Sequence, residues 1–387
     1  MFTPSRLALA RKRRGLSAID LAGRAGVTSQ SISNYERGRT QPSPETLARI
    51  ANELGFPLAF FSQPDLDHVI QEQVSFRARS KIPAAPRDAA LSTATMALEL
   101  NDWIGKRFRL PDVSVPTLER HSPEEAADFV RALWGIPTDT PAPNMVHLLE
   151  AKGVRVFSLD PEYSEVDAFS FWREGTPYVV LNTMKSGERG RFDAAHELGH
   201  LVLHGHNGCN GWPKEVERDA NLFASNFLMP TRSVRMRMGQ DPTTDQIIRA
   251  KKYWRVAALA LTYRLNDLGM FTDWNYRRRL IHLGNMGYRK AEPQGIQRET
   301  SQLLSKVLRQ CRESGLSARD LAADLKYSIE DLNRLMFGLV LTALPGEPTN
   351  RRATARQGRP SLTVVHGGAN ATTRRRSSWR DGESLEM

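Results

Sequence analysis

In the run "RFDAAHELGHLVLHG" (residues 191–205), His196 and His200 stand four positions apart. On an α-helix that spacing sends both imidazoles out of one face, one turn apart, where together they grip a single ion. Glu197 sits beside the pair, placed to take a proton from a water that such an ion activates. The same five-residue pattern also arises by chance in an amphipathic surface helix, so the reading needs a third donor.

The frame H-E-x-x-H is that of metalloproteases, in which zinc lowers a water's pKa toward ~7 and the glutamate acts as general base. Catalytic zinc takes three protein ligands and leaves a fourth position open. Downstream, "EVERDANLFASNFLMP" (215–230) has helix length, with Ala220, Phe223, Ala224, Phe227 and Leu228 on its apolar face. Glu217 and Asn221, four apart on its polar side, are read as third ligand and as a group that orients a histidine. Asp219 and Glu215 are the competing acids. Asp219 is two residues from Glu217 and points well away from it, and Glu215 lies at the helix start, where a solvated carboxylate is ordinary.

His206 falls ten residues after His196, the offset of a third histidine in H-E-x-x-H-x-x-G-x-x-H enzymes. Those enzymes turn at a glycine where this chain has Leu203, so His206 is read as a loop residue and His204 as a solvent-side or supporting histidine. For the donor that stabilises an oxyanion, Tyr253, Arg264, His204 and His206 all remain open. Zn2+ is the expected metal, although two imidazoles and a carboxylate also suit Mn2+, Fe, Co or Ni.

A second chemistry is written in "AGVTSQSISNYERG" (25–38). A helix that lies in the DNA major groove needs short polar side chains at its N-terminal end and a tight turn before it. Gln30 suits a bidentate pair with adenine, while Thr28, Ser29, Ser31, Ser33 and Asn34 reach base edges or phosphates. Arg37 and Arg39 lie where the DNA backbone would pass. Ile32 and Tyr35 would face a core with Leu21, Ala22, Leu47 and Ile50. Residues 1–60 hold nine Lys/Arg against four Asp/Glu, the local basicity that counterion release requires. The alternative is a helical protein-interaction domain kept soluble by its basic residues.

The elements that must position these groups follow from the rest of the chain. Its 387 residues exceed one ordinary core, and the formal net charge of +11 favours a polyanionic partner. With no apolar run of about 18 residues and no signal-peptide pattern, a cytoplasmic protein outside the membrane is expected. Cys209 and Cys311 lack CxxC spacing, which argues against disulfides and thiolate zinc. Helix-length runs are read at about 93–106, 123–134, 142–151, 190–204, 215–228, 244–253, 256–268 and within 297–340, and strands at 154–159, 168–172 and 177–182. The expected organisation is a DNA-binding unit over 1–62, a linker over 63–92, a catalytic domain over 93–272, a helical region over 273–344 and a basic, disordered tail over 345–387.

The segment "GLSAIDLAGRAGVTSQSISNYERG" (15–38) returns as "GLSARDLAADLKYSIEDLNRLMFG" (315–338), with Glu330 and Asp331 where the first copy has Gln30 and Ser31. Carboxylates aimed at phosphates are unfavourable, so the second copy is read as a packing or dimer-forming helix pair. The tail carries eight arginines against three acids over 351–387 and is read as solvated, with loose contact to DNA phosphates as its functional alternative.

Residues 5–61, with the pattern "LS…LA…GVT…IS..E.G…P", resemble the lambda/Xre-like repressors, which implies a homodimer on a double-stranded, palindromic DNA operator. "ERGRFDAAHELGHLVLH", "EVERDANLFASNFLMP" and "WRVAALALTYRLNDLGM" resemble the ImmA/IrrE metallopeptidases, with a likeness running from about residue 75 to 268. That resemblance implies His196, His200 and Glu217 as zinc ligands, Glu197 as catalytic base, and a repressor or other protein substrate, or the chain itself, in a stress or prophage operon. Asp219 departs from it, since a glutamate is commoner there. The implied fold class is α+β, mostly α: a five-helix helix-turn-helix domain, a zincin-like domain with a small β-sheet, a C-terminal helical region and a disordered tail. A binding protein whose peptidase-like domain only senses a ligand or partner is the other functional class.

If the polar residues of "SQSISNYERG" (29–38) read bases, Gln30→Ala costs about 1–3 kcal/mol and relaxes preference at one base pair, whereas Arg37→Ala weakens all sequences alike. Binding titrations on specific and random DNA check this, and equal losses on both for both variants would contradict base reading.

Overall fold

Hydroxyl caps mark where the helices begin. Ser17, Thr28, Ser43, Ser122, Ser186, Thr243, Ser301, Ser317 and Ser328 each accept the backbone N–H three residues ahead, satisfying a donor that the first turn leaves without a partner. A computed structural model of the chain describes residues 1–71, 74–76, 82–163, 165–205 and 214–340. The tail at 345–387, His206 and Cys209 lie outside the described residues.

The N-terminal unit consists of α1 (Pro4–Arg13), α2 (Ala18–Ala25), α3 (Ser29–Glu36) and α4 (Pro44–Leu54). The expected fifth helix is a 3-10 turn, Leu58–Ser62, because the stretch between Pro57 and Pro64 leaves room for one tight turn only. Its Phe60 and Phe61 are buried with Leu7, Leu21, Ile32, Ile50 and Leu54.

The segment read as a linker is more structured than expected. It supplies β1 (Ser75–Phe76) and the first turns of α5 (Ala84–Gly105). Pro83 and Pro86 do not break this helix, because they stand at the cap and in the first turn, where a missing N–H costs no helical bond.

Then follow α6 (Pro123–Leu133), α7 (Met145–Ala151), β2 (Arg155–Ser158), β3 (Ala168–Arg173), β4 (Thr176–Leu181), α8 (Gly187–Leu203) and α9 (Lys214–Leu228). Beyond them lie α10 (Thr231–Arg237), α11 (Thr244–Trp254), α12 (Ala258–Asp267), α13 (Asp273–Asn285), α14 (Gln302–Glu313), α15 (Ala318–Leu325) and α16 (Ile329–Leu335). No helix among the described residues is long and apolar enough to cross a membrane.

The sheet runs in the order β1-β3-β4-β2. β3 and β4 form a hairpin whose two turn residues, Glu174 and Gly175, both have positive φ, the requirement of a type I′ turn. β2 joins β4 in parallel, and β1 joins β3 antiparallel. Strand alternation then divides β3 between two layers. Phe171 stacks on Tyr178, whose hydroxyl accepts from Asn101 of α5, while Trp172 donates to the Leu201 carbonyl of α8 and Ser170 faces Glu197 of the same helix.

Helix α8 is buried nearly all round, not on one face as an amphipathic reading expects. Each polar residue on it therefore requires a partner. Arg191 donates to Glu299 (2.7 Å) and to the carbonyls of Ala142 and Pro143 (both 2.5 Å), Asp193 pairs with Lys185 (3.2 Å) and Arg189 (3.3 Å), and Glu188 accepts from the Ile296 N–H (2.8 Å).

Gly199 of α8 faces α9 at close range. A Cβ there would lie 3.1 Å from Phe223 Cδ1 and 3.2 Å from the Ala220 carbonyl. Gly199→Ala is expected to push the helices apart by a few tenths of an ångström, at about 1–3 kcal/mol of stability, and to weaken metal binding. Thermal unfolding and metal titration check this, and wild-type values in both would show that the close approach positions nothing.

Candidate metal centre and DNA-reading face

His196 and His200 project from α8, and Glu217 reaches them from the first turn of α9. Both histidines are buried, whereas the Glu217 side chain keeps 26% of its exposure and opens the group to solvent. The His196 and His200 Nε2 atoms are 2.9 Å apart, and the Glu217 carboxylate lies 3.5 Å from the first and 3.3 Å from the second. A tetrahedral ion with ligand bonds of about 2.1 Å separates its donors by about 3.4 Å. The three side chains thus fit a divalent ion in both chemistry and spacing, and among the described residues they form a group able to hold one.

Asn221 fixes the tautomer of His196. Its Nδ2 donates to the Glu217 carbonyl (2.8 Å), which leaves Oδ1 facing His196 Nδ1 at 3.1 Å. Nδ1 then carries the hydrogen, and the Nε2 lone pair is left for the ion. Behind His200, its Nδ1 meets His204 Nδ1 at 3.2 Å. Burial, reinforced by His200, pushes His204 down to about 4, so it is neutral at pH 7 and able to accept that hydrogen. Burial acts to raise the Glu217 carboxyl, but hydrogen bonds and charge from His196 and His200 outweigh it and hold the group well below the ordinary carboxylate range.

Glu197 is fully buried beside the ligand pair, and its Oε2 accepts from Ser170 Oγ at 2.7 Å. Sequence reasoning missed Ser170, because a serine in a β-strand carries no local signal; only the alternation that turns Phe169 and Phe171 the other way marks it. The competing acids stand apart from this group. Asp219 pairs with its neighbour Arg218 at 3.3 Å, and Glu215 is exposed.

Of the four candidate oxyanion donors, three are committed elsewhere and His206 is outside the described residues. Arg264 is buried on the Met229 carbonyl (3.1 Å), Thr231 (2.9 Å) and Asn226. The Tyr253 hydroxyl donates to the Asp139 carbonyl (2.9 Å), and His204 backs His200.

In the N-terminal unit, Ile32 is buried while Thr28, Ser29, Gln30, Arg37 and Arg39 are exposed. Ser31, Ser33 and Asn34 are half-buried, and Gln30 Nε2 donates to Asn34 Oδ1 at 3.0 Å, one turn on. Tyr35 packs partly on the core, as the three-residue spacing from Ile32 requires. The polar N-terminal end of α3 is therefore open to solvent.

Asn221→Ala removes the group that orients His196 and is expected to cost 10–100-fold in metal affinity with the fold retained. Competition with a chelator of known affinity, alongside circular dichroism, checks this; unchanged affinity would contradict the tautomer argument.

Residues 7–61 match the helix-turn-helix family, and residues 149–266 match the peptidase family of IrrE N-terminal-like domains. The chain is 35% identical over 108 residues to the HTH-type transcriptional regulator DdrOP3 of Deinococcus deserti, an alignment that covers 27% of this chain and 77% of that relative. With a helix-turn-helix unit at its N-terminal end and a peptidase-type domain around two histidines and a glutamate, this chain belongs to the Xre-like helix-turn-helix DNA-binding regulators fused to an IrrE-like domain.

Proposed function

We propose that the chain is a DNA-binding transcription regulator whose IrrE-like domain is a metal-dependent endopeptidase, cleaving a repressor, another protein or itself to control a stress or prophage operon. The observation that carries this reading is the buried Glu197 carboxylate, held by Ser170 beside the ligand pair. Three donors hold an ion without any neighbouring base, so Glu197 has no role in mere metal binding.

His196, His200 and Glu217 hold the metal, with Zn2+ as the assigned ion and Mn2+ or another divalent cation as the alternative. Such an ion supplies Lewis acidity, polarising the peptide carbonyl and making water acidic enough to attack at neutral pH. Glu197 takes the proton from the attacking water and returns it to the leaving amine. Ser170 keeps the Glu197 carboxylate turned toward that water, and Asn221 and His204 hold the two imidazoles in register. On the DNA side, Gln30 reads a base edge, with Thr28, Ser29, Ser31, Ser33, Asn34, Arg37 and Arg39 along the base edges and backbone.

One observation favours the alternative of a non-catalytic sensor: Arg264, Tyr253 and His204 are all engaged away from an oxyanion position. Glu197→Gln separates the two readings. It is expected to keep metal and fold while lowering cleavage of the substrate repressor, or operon induction, by about 10²–10⁴-fold. Ser170→Ala is expected to lower the same rate with metal content unchanged. Normal regulation by Glu197→Gln would favour the sensor.

A further inference from the structure

The repeat seen in the sequence is a repeat of structure at a constant offset of 300 residues. α14 stands where α1 does, α15 matches α2, and α16 matches α3. Ser317 forms with Asp320 the same capping box that Ser17 forms with Asp20, and Ser328 caps α16 as Thr28 caps α3. Even the left-handed residues repeat: Gly15 and Gly315, Gly26 and Lys326, Gly38 and Gly338. The two copies differ in what their third helix faces. Ile32 and Leu332 are buried alike and Gln30 and Glu330 are both exposed, but Ser31 and Tyr35 are half-buried whereas their counterparts Asp331 and Leu335 are completely buried.

Asp331, standing where Ser31 stands in the first copy, accepts both Nη atoms of Arg14 at 2.6 and 2.7 Å and lies 3.9 Å from Arg13 Nη2. Both arginines belong to the C-terminal end of α1. Arg13 itself is fully buried and donates to Asp160, just beyond β2, at 2.6 Å, and Arg334 of α16 closes the triangle on the same carboxylate at 2.7 Å. Glu162 takes the other arm of Arg334 at 2.9 Å, and the Tyr163 hydroxyl donates to the Arg13 carbonyl at 3.2 Å. Three guanidinium groups thus meet three carboxylates, a balance that permits burial of charge. A second contact repeats the arrangement two turns back along α1: Arg6 pairs with Glu99 of α5 at 2.7 Å, and the Tyr327 hydroxyl donates to the same carboxylate at 2.6 Å.

We propose that residues 302–340 are a docking unit for the chain's own DNA-reading unit, in which the face that reads DNA in the first copy is converted into an acidic seat for Arg13 and Arg14. The seat engages the end of α1, so the reading residues of α3 stay open while the unit that carries them is fixed to the metal domain through Asp160. A carboxylate at position 331 does both jobs: it repels phosphate and attracts the arginines. This inference does not depend on peptide cleavage.

Hydrogen exchange on the full-length protein tests the inference. In Asp331→Asn, the amides of Arg14, Gly15 and Leu16, which bond back to Ala10, Lys12 and Arg11, are expected to exchange at least 10-fold faster, with α8 and α9 unchanged. Arg334→Ala, which alters a half-exposed side chain, is expected to give at least a 3-fold acceleration at the same amides and serves if the first variant does not fold. In operator titrations, Glu330→Gln and Asn333→Ala are expected to stay within 2-fold of wild type. Unchanged exchange at α1 in the folded variants would overturn the proposal. So would protection of α16 by DNA, which would make it a second reader, or exchange at α16 that slows with protein concentration, which would make it a contact with a second copy.

Discussion

Two helices from a single chain bring three metal-type donors together because Gly199 lets their backbones approach closely. α8 alone supplies two nitrogens on one face, and a third donor must cross from α9 to a distance that a side chain at position 199 would increase. With that approach in place, the donor separations of 2.9, 3.3 and 3.5 Å match the edges of one small coordination shell. Asn221 then orients one ring and His204 backs the other, which turns a pair of histidines into a pair of directed lone pairs.

The same economy runs through the rest of α8. A helix buried on every side, yet carrying Arg191, Asp193, His196, Glu197 and His200, would be costly unless each group were satisfied where it stands. Glu299, Lys185, Asn221, Ser170 and His204 do this: Lys185 and His204 flank the helix itself, while Ser170, Asn221 and Glu299 come from other elements. The centre is thus assembled by the fold as a whole. A comparable balance of buried charge, around Arg13, Asp160 and Asp331, fixes the DNA-reading unit to it.

Much of this was legible in the sequence, and the limits have physical causes. Helix positions and the His196, His200 and Glu217 grouping follow from 3.6-residue periodicity and capping residues, which are local signals. The apolar face of α9 was legible for the same reason. Ser170 and the partners of Arg13 were not, since they depend on contacts between residues far apart in sequence. Within the linker expected over 63–92, Pro83 and Pro86 mask the start of α5, since proline usually ends a helix yet here occupies the one part of a helix that tolerates it. The fifth helix of the N-terminal unit shrank to a 3-10 turn between flanking prolines. The repeat was visible in its turn glycines and "DLA" core, and the substitution of Asp331 for Ser31 already excluded phosphate from that face; which cation it would meet required the fold.

The central claim is that one divalent cation binds between α8 and α9 with an open coordination position. Anomalous diffraction from crystals of the full chain grown with Zn2+, together with X-ray absorption at the zinc edge, tests it most directly. The account predicts one ion per chain with two imidazole nitrogens at about 2.0–2.1 Å and one carboxylate oxygen at about 2.0–2.2 Å, from His196, His200 and Glu217, and a non-protein fourth ligand. An ion bound elsewhere, or a site closed by four protein ligands, would contradict it.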